Sequence, residues 1–468
     1  MQISFVGLNQ TKQFLKRTVF LGNEPTLELT AILLVYFVQG ILGLARLAIS
    51  FFLKDDLAMS PAEVSALFGI VALPWVVKPL FGFVSDGLPI LGYRRRSYLV
   101  LSGLLGTSSW LMLAYWVKTP LAATLAITLS SISVAISDVI VDSLVVERAR
   151  NESVGNIGAL QSLCWGTSAL GGMITAYLSG FLLEVFSSQT IFLITASFPL
   201  IVSLTAGLIV EEKVGNTSNL DTVKQQISQL RQAVTQRTIW LPTAFLFIWQ
   251  ATPTADSAFF YFTTNELGFQ PEFLGRVRLA TSMAALIGVW LFQKFFKTVP
   301  FRQIFGWSTV ASALLGMTML LLVTHANRSL GIDDRWFSLG DSLILTVMGQ
   351  IAYMPVLVLA ARLCPPGIEA TLFALLMSIT NLAALLSYES GALLTHLFHV
   401  TETNFENLWL LVVITNLTTL LPLPFINWLP DVTAQGAEGA PAMLAPEMIG
   451  KNVVPDFIPE CEGVGIRD

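Results

Sequence analysis

Apolar residues run along the chain in long stretches separated by short polar breaks, not at the alternating or three-to-four spacing of a half-wetted face. A helix needs roughly 20 such residues to cross a hydrocarbon core about 30 Å thick. The pattern predicts twelve spans: Leu29–Leu53, Pro61–Phe83, Ser97–Val117, Leu121–Val146, Ile157–Leu183, Thr190–Val210, Ile239–Phe262, Leu274–Phe292, Ile304–Val323, Leu343–Leu363, Thr371–Phe398 and Leu408–Ile426. Pro74, Pro79, Pro253 and Pro355 stand inside spans and permit kinks. Gly166, Gly171 and Gly172 let neighbours approach span five closely. Between spans six and seven, Val223, Ile227, Leu230 and Val234 recur at helical spacing within Asp221–Arg237, which predicts an amphipathic surface helix. Beyond Pro430 the chain turns rich in Ala, Gly, Pro and Glu, as a disordered tail would be. The expected organisation is an N-terminal segment (1–28), a six-helix bundle (29–210), a linker (211–238), a second bundle (239–429) and a tail (430–468).

Composition sharpens this picture. Of the 468 residues 54% are hydrophobic and 12% charged, against about 25% charged in an ordinary soluble domain. No charged skin can be made from so few, so the fold class is an all-α polytopic membrane protein. With the N-terminus inside, eighteen of the 26 Lys and Arg residues fall on the inner side. Six fall outside: Lys54, Lys118, Arg276, Arg278, Arg328 and Arg335. Both termini are therefore expected in the cytoplasm. The N-terminus lacks the features of a signal peptide, which leaves insertion to the first span. A net charge of −5 without a basic run excludes a nucleic-acid partner. Three scattered cysteines and three histidines predict neither a disulfide framework nor a metal centre, and no cofactor is expected. The chain has no phosphate-binding Gly-x-x-x-x-Gly-Lys-[Ser/Thr] loop, so any transport must draw on an ion gradient or the cargo's own gradient.

Sliding the sequence by 210 positions sets Phe52 on Phe262, Asp56 on Glu266, Leu57 on Leu267 and Pro61 on Pro271, and Arg46 opposite Asp256. Two parallel six-helix repeats are the internal architecture of the major facilitator fold. The loop after span two reads Gly82, then Asp86, then Arg94, Arg95 and Arg96, which resembles the signature of that superfamily. The stretches Val35–Arg46, Leu73–Gly82 and Ser137–Arg150 are similar to the folate–biopterin transporter family of cyanobacteria, plant plastids and trypanosomatids. The similarity is dense over residues 30–180 and looser beyond; the Gln293–Lys297 loop is basic but lacks the Gly-x-x-x-Asp pattern. The resemblance implies import of folates or pterins by alternating access, driven by proton symport, in a monomer surrounded by lipid. A bacterial plasma membrane fits the missing transit peptide better than a plastid envelope. Asp86 with Arg94–Arg96, and Glu147 with Arg148 and Arg150, then look like a charge latch joining the halves when the protein opens outward.

A charge inside a span costs several kcal/mol unless paired, hydrated or able to reach the interface. Arg46 and Asp256 share one depth, so they could close the outer side together, or Arg46 could meet an anionic cargo. The bland alternative is that Arg46 snorkels to the headgroups. Asp138 and Asp142 lie one turn apart on span four. With Lys78 they could form an inner gate that exchanges a proton, or merely a fixed ion pair. Folate carries a pterin, an aromatic linker and a two-carboxylate tail, so its site needs a cation, amides or a carboxylate, and aromatic faces. Gln39, Gln161, Trp249, Gln250, Gln350 and Tyr353 join Arg46 and Asp256 as candidates, although a membrane-embedded Gln is as often interhelical glue. Alternatives are a carrier or exporter of another amphipathic anion or drug, a receptor or scaffold, and an intramembrane enzyme. The last is disfavoured because Asp138 and Asp142 share one helix instead of facing each other across two.

Overall fold

A computed structural model describes residues 24–149, 159–213, 235–296, 298–362 and 369–430. The elements are α1 (Leu27–Asp56), α2 (Pro61–Gly87), α3 (Arg96–Tyr115), α4 (Pro120–Ala149), α5 (Ala159–Val185) and α6 (Ser188–Leu208), followed by α7 in two pieces, Arg237–Gln250 and Asp256–Tyr261. The chain continues with α8 (Pro271–Phe296), α9 (Phe301–Val323), α10 (Asp334–Arg362), α11 (Glu369–Leu397) and α12 (Leu408–Trp428). Ten of the described helices are long and apolar enough to cross a membrane. The two expected spans outside that group are α7, which is unwound over residues 251–255, and α11. The expected surface helix at Asp221–Arg237, the tail and most of the N-terminal segment lie outside the described residues.

Two boundaries differ from the sequence expectation. α10 begins at Asp334, not Leu343, and α8 begins at Pro271, not Leu274, so Arg276 and Arg278, counted above with the outer-side cations, lie in its second turn. A hydropathy window rejects such polar first turns, whereas the backbone only needs its hydrogen bonds made.

Proline sets the breaks in α2 and α7. Pro79 offers no N–H to the carbonyl of Trp75 and its ring crowds that carbonyl. α2 therefore divides after Val76, and Trp75 O accepts from Asn381 Nδ2 of α11 at 3.1 Å. Pro253 acts likewise on α7, so the expected continuous span Ile239–Phe262 is unwound over residues 251–255. Again α11 supplies the missing partners. Ser387 Oγ donates to Thr252 O at 2.5 Å, and Thr254 N donates to Ser387 O at 3.3 Å. At the start of α2, Ser60 and Glu63 form a reciprocal cap ahead of Pro61.

The 210-residue repeat is written into the backbone. α1 ends in a widened π-turn at Phe52–Asp56, and α7 is followed by the same turn at Phe262–Glu266. Each is followed by a residue with positive φ, Ala58 at 48° and Gly268 at 65°, and then by a helix opening on Pro61 or Pro271.

Within each half the helices pack as neighbours: α1 on α5, α3 on α4 and α6, α8 on α10, and α9 on α10 and α12. Across the halves the main seams are α2 on α11 and α5 on α8. We call the face where α1 begins the near face and the one carrying Asp56 and Pro61 the far face. Cross-half hydrogen bonds among the described residues lie between mid-depth and the far face. Lys54 Nζ donates to Asn265 Oδ1 (2.8 Å), Tyr261 Oη to Met59 O, Glu272 N to Glu184 Oε1 (3.1 Å), and Ser65 Oγ to Tyr388 O (3.0 Å). The far face is closed in this conformation. Beside it, Arg328 donates to Asp334 at 2.7 Å, and this bond raises the guanidinium above its ordinary pKa.

At the α5–α8 seam Gly180 lies against Gly275, and a Cβ on Gly180 would meet Pro271 O at 2.2 Å. The obstacle is backbone and cannot swing aside. Gly180→Val is therefore expected to force the seam apart and shift the population towards an open far face. Spin labels at Ala58 and Gly268, the two far-face tips, would report this as a wider distance distribution than the unsubstituted seam gives.

Candidate functional site

Three groups of polar side chains are sunk in the bundle. The first joins α1, α2 and α4. The break in α2 makes Lys78 the opening residue of its second piece, and its ammonium is delivered to the α4 carboxylates. Lys78 Nζ donates to Asp138 Oδ2 and, at 3.3 Å, to Asp142 Oδ2. Tyr36 Oη donates to Asp142 Oδ1 at 2.7 Å, and Gln39 Nε2 to Asp138 Oδ1 at 3.3 Å. Asp138 is only 3% exposed. Two carboxylates one turn apart repel each other, and a single cation with two neutral donors offsets that repulsion. Tyr36 escaped the sequence reading because an apolar run conceals which of its aromatic residues has a polar partner; Gln39, expected to face cargo, is turned towards Asp138.

The second group lines a cavity of 380 Å³ in the second half, beside the unwound stretch of α7. Trp249, Gln250, Thr254, Asp256, Thr309 and Asn416 are among its walls. Small-molecule sites occupy about 300–1,000 Å³. The break that Pro253 imposes makes Asp256 the first residue of a new helix, with its side chain exposed to this space. Trp249 is held by a hydrogen bond from its indole Nε1 to Thr309 Oγ1 (3.0 Å) and an edge contact with Phe305. Among the described residues no donor reaches the buried Gln250 Oε1, so an acceptor is left open beside the cavity. Such an oxygen costs about 1–3 kcal/mol until a donor arrives.

The third group is a pair of arginines. Arg46 follows a tightened turn of α1 at Leu42–Leu44, at the repeat position of the α7 break. Arg278 lies in the second turn of α8. Both are half-buried, one on each half. Sequence reasoning had Arg278 near the start of span eight but counted it only as an outer-side cation, not as a site residue.

The remaining candidates lie elsewhere. Gln350 and Tyr353, each 6% exposed, are packed inside the second half; Gln350 Cβ fills the space left by Gly288 of α8. Asp86 pairs with Arg95 at 2.8 Å. The backbone N–H groups of Arg94, Arg95 and Arg96 donate to Glu211 at 2.6–3.1 Å, so that carboxylate caps the start of α3. Glu211 arrives from the end of α6, a pairing without a local sequence signal. Arg148 reaches Thr26 Oγ1 at 2.7 Å and Glu28 at 3.7 Å. These contacts all stay within the first half. The side chains of Glu147 and Gln161 lie outside the described residues.

Helices in this order, broken at cavity-lining positions and joined by two cross-half seams, have close counterparts among solved structures. A crystal structure of the nucleoside transporter NupG superposes with a TM-score of 0.66 at 14% identity, over 86% of this chain and 98% of that one. A D-xylose–proton symporter gives 0.60 at 14% identity, over 86% and 98%. The architecture is that of major-facilitator-type membrane transporters.

Residues 39–441 match the BT1 family, and the chain belongs to that family, the folate–biopterin transporters. It is 64% identical over 419 residues to the "Folate-biopterin transporter" of Synechocystis sp., covering 90% of this chain and 85% of that one. It is 30% identical to "Folate transporter 2" of Plasmodium falciparum, over 85% and 88%.

Proposed function

We propose that this chain imports folates or pterins by alternating access with proton symport, its near face turned to the cytoplasm. The observation that carries the reading is the cavity beside the break in α7, walled by Asp256, Trp249 and Gln250, with two half-buried arginines, Arg46 and Arg278, contributed by opposite halves. Two like charges in a poorly solvated interior repel, so an anion that comes between them is held strongly. The folate tail has two carboxylates to offer. The pterin edge is rich in N–H donors, which Asp256 and the unmatched Gln250 Oε1 can accept, with Trp249 as an aromatic wall. Because the two arginines sit on different halves, cargo bound between them bears on both, as a carrier that rocks about its site requires. The excess of Lys and Arg at the near-face ends supports the orientation. Lys78, Asp138 and Asp142 would hold the near-face side of the first half and respond to its opening, with Asp86, Arg95 and Arg148 bracing the helix ends.

Uptake of radiolabelled folate by proteoliposomes containing the purified protein tests this reading. An acid-outside gradient should drive accumulation that unlabelled folate or pterin competes away. Uptake unaffected by either competitor, or absent in every gradient, would refute the assignment.

A further inference from the structure

The near-face loop between α2 and α3 carries an apolar tip. Ile90 and Tyr93 exchange both backbone hydrogen bonds at 3.0 Å across a two-residue turn, with φ of 55° at Leu91 and 83° at Gly92. Such a turn normally takes Asn, Asp or Gly, because a larger side chain is strained at positive φ. Here its first position is a leucine, 84% exposed, and Leu88 three residues earlier is 63% exposed. The hairpin is firmly braced on α3: Ser97 Oγ donates to Ile90 O at 2.7 Å, and Tyr98 Oη to Leu88 O at 2.8 Å. An apolar tip held out in this way is stabilised only where something other than water meets it.

Cations gather behind that tip. The Arg96 guanidinium lies 5.2 Å from the centre of the Tyr93 ring, and Lys213 Nζ, from the end of α6, lies 5.9 Å from it. A Cβ on Gly92 would stand 3.6 Å from Lys213 Cγ, so the lysine stem packs on the hairpin. Arg96 Nε donates to Ala206 O at 3.0 Å and ties the start of α3 to the end of α6. Arg94 is half-buried, and among the described residues no acceptor reaches its side chain. Of the neighbouring acids, Asp86 is on Arg95, Glu211 is spent on the first N–H groups of α3, and Glu212 is exposed. From the cations into the bilayer the outside of the α3–α6 pair is aliphatic, with Leu101, Leu104, Leu204 and Val210 exposed at 50%, 49%, 70% and 85%. Leu104 lies eight residues into the helix from Arg96, about 12 Å along the axis.

We propose that this edge of the first half holds an anionic phospholipid of the near-face leaflet, its phosphate among Arg94, Arg96 and Lys213 and its acyl chains along α3 and α6. Two guanidinium groups and an ammonium supply charged donors to the phosphate oxygens. Leu91 dips in beside the headgroup, and the tails cover the aliphatic strip. Inorganic phosphate would satisfy the cations alone and leave Leu91, Leu204 and Val210 in water; a lipid accounts for both. Bound there, one molecule joins the hairpin to the ends of α3 and α6. The site shares no residue with the cargo cavity.

The purified protein, in detergent, is titrated with phosphatidylglycerol, with phosphatidylcholine and with inorganic phosphate, and the bound molecules are counted by native mass spectrometry. One phosphatidylglycerol is expected to bind ahead of phosphatidylcholine. That preference should fall about fivefold in Arg94→Gln and in Lys213→Gln, and about 25-fold in the double variant, the usual factor for each cation at a lipid headgroup. Because the preference is a ratio taken within one variant, a general loss of stability drops out of it. Lys118→Gln, which removes a far-face cation, should keep the wild-type ratio. Leu91→Asn suits the turn and leaves the cations in place, so it should weaken both lipids together. Equal binding of the two lipids by wild-type protein would overturn the proposal. So would a ratio unmoved by Arg94→Gln and Lys213→Gln, or one lowered as much by Lys118→Gln. Inorganic phosphate binding as tightly as phosphatidylglycerol would overturn it too, leaving an anion site without a lipid.

Discussion

Lys78→Met is expected to destabilise the protein by about 3–5 kcal/mol, the usual effect of removing one partner from a buried ion pair. Asp138 is 3% exposed and Lys78 17%, so water cannot take over the lost contact. Gln39 can offer one neutral donor to Asp138 and Tyr36 one to Asp142, but neither replaces the positive charge that Lys78 brings to two carboxylates one turn apart. The measurement is thermal unfolding in detergent together with the yield of folded protein from membranes. Adding Asp138→Asn to Lys78→Met should recover most of the loss, because the uncompensated charge is then gone. Transport should not return with stability if the group works as a gate. A single Lys78→Met variant of wild-type stability would mean that the network contributes little. Full transport by the stable double variant would reduce the network to scaffold.

The second large effect concerns selectivity. Arg278→Gln, and separately Arg46→Gln, should lower folate uptake by about 10- to 100-fold, the loss of a charged hydrogen bond being about 1.5–3 kcal/mol. A pterin without the glutamate tail should be affected far less, since it brings no carboxylate to the pair. Competition between folate and such a pterin, measured with each variant, gives the ratio directly. An equal loss for both would show that the arginines do not read the tail. Asp256→Asn should do the reverse and weaken both cargoes alike, because the pterin edge is common to them.

These expectations draw on a sequence that was informative about some links and silent about others. Long apolar runs set the helices, because the lipid solvent leaves the backbone no alternative. The 210-residue offset was readable from four matched residues, and the paired π-turns show what those residues build: Phe52 and Phe262 begin the same turn. Lys78, Asp138 and Asp142 could be grouped because two of them share a helix face. The break in α7 was not readable, although Pro253 was seen, since a proline can bend a helix or end it, and α11 decides which by offering Ser387. Arg278 lay inside the expected span eight but was weighed only as a marker of topology, while Glu211 and Tyr36 were lost to partners more than a hundred residues away. Gln350 shows the converse limit: its polarity suggested a cargo contact, yet its place against Gly288 is one of packing. Periodicity tells which residues share a face, not what that face meets.

The turns at Asp56 and Glu266 rest on one another through Lys54, Asn265, Tyr261 and Met59. Two identical elbows that lean together must also let go together. In the proposed cycle the far-face door is consequently a double leaf with one latch, since parting it takes Lys54 from Asn265 and Tyr261 from Met59 at once.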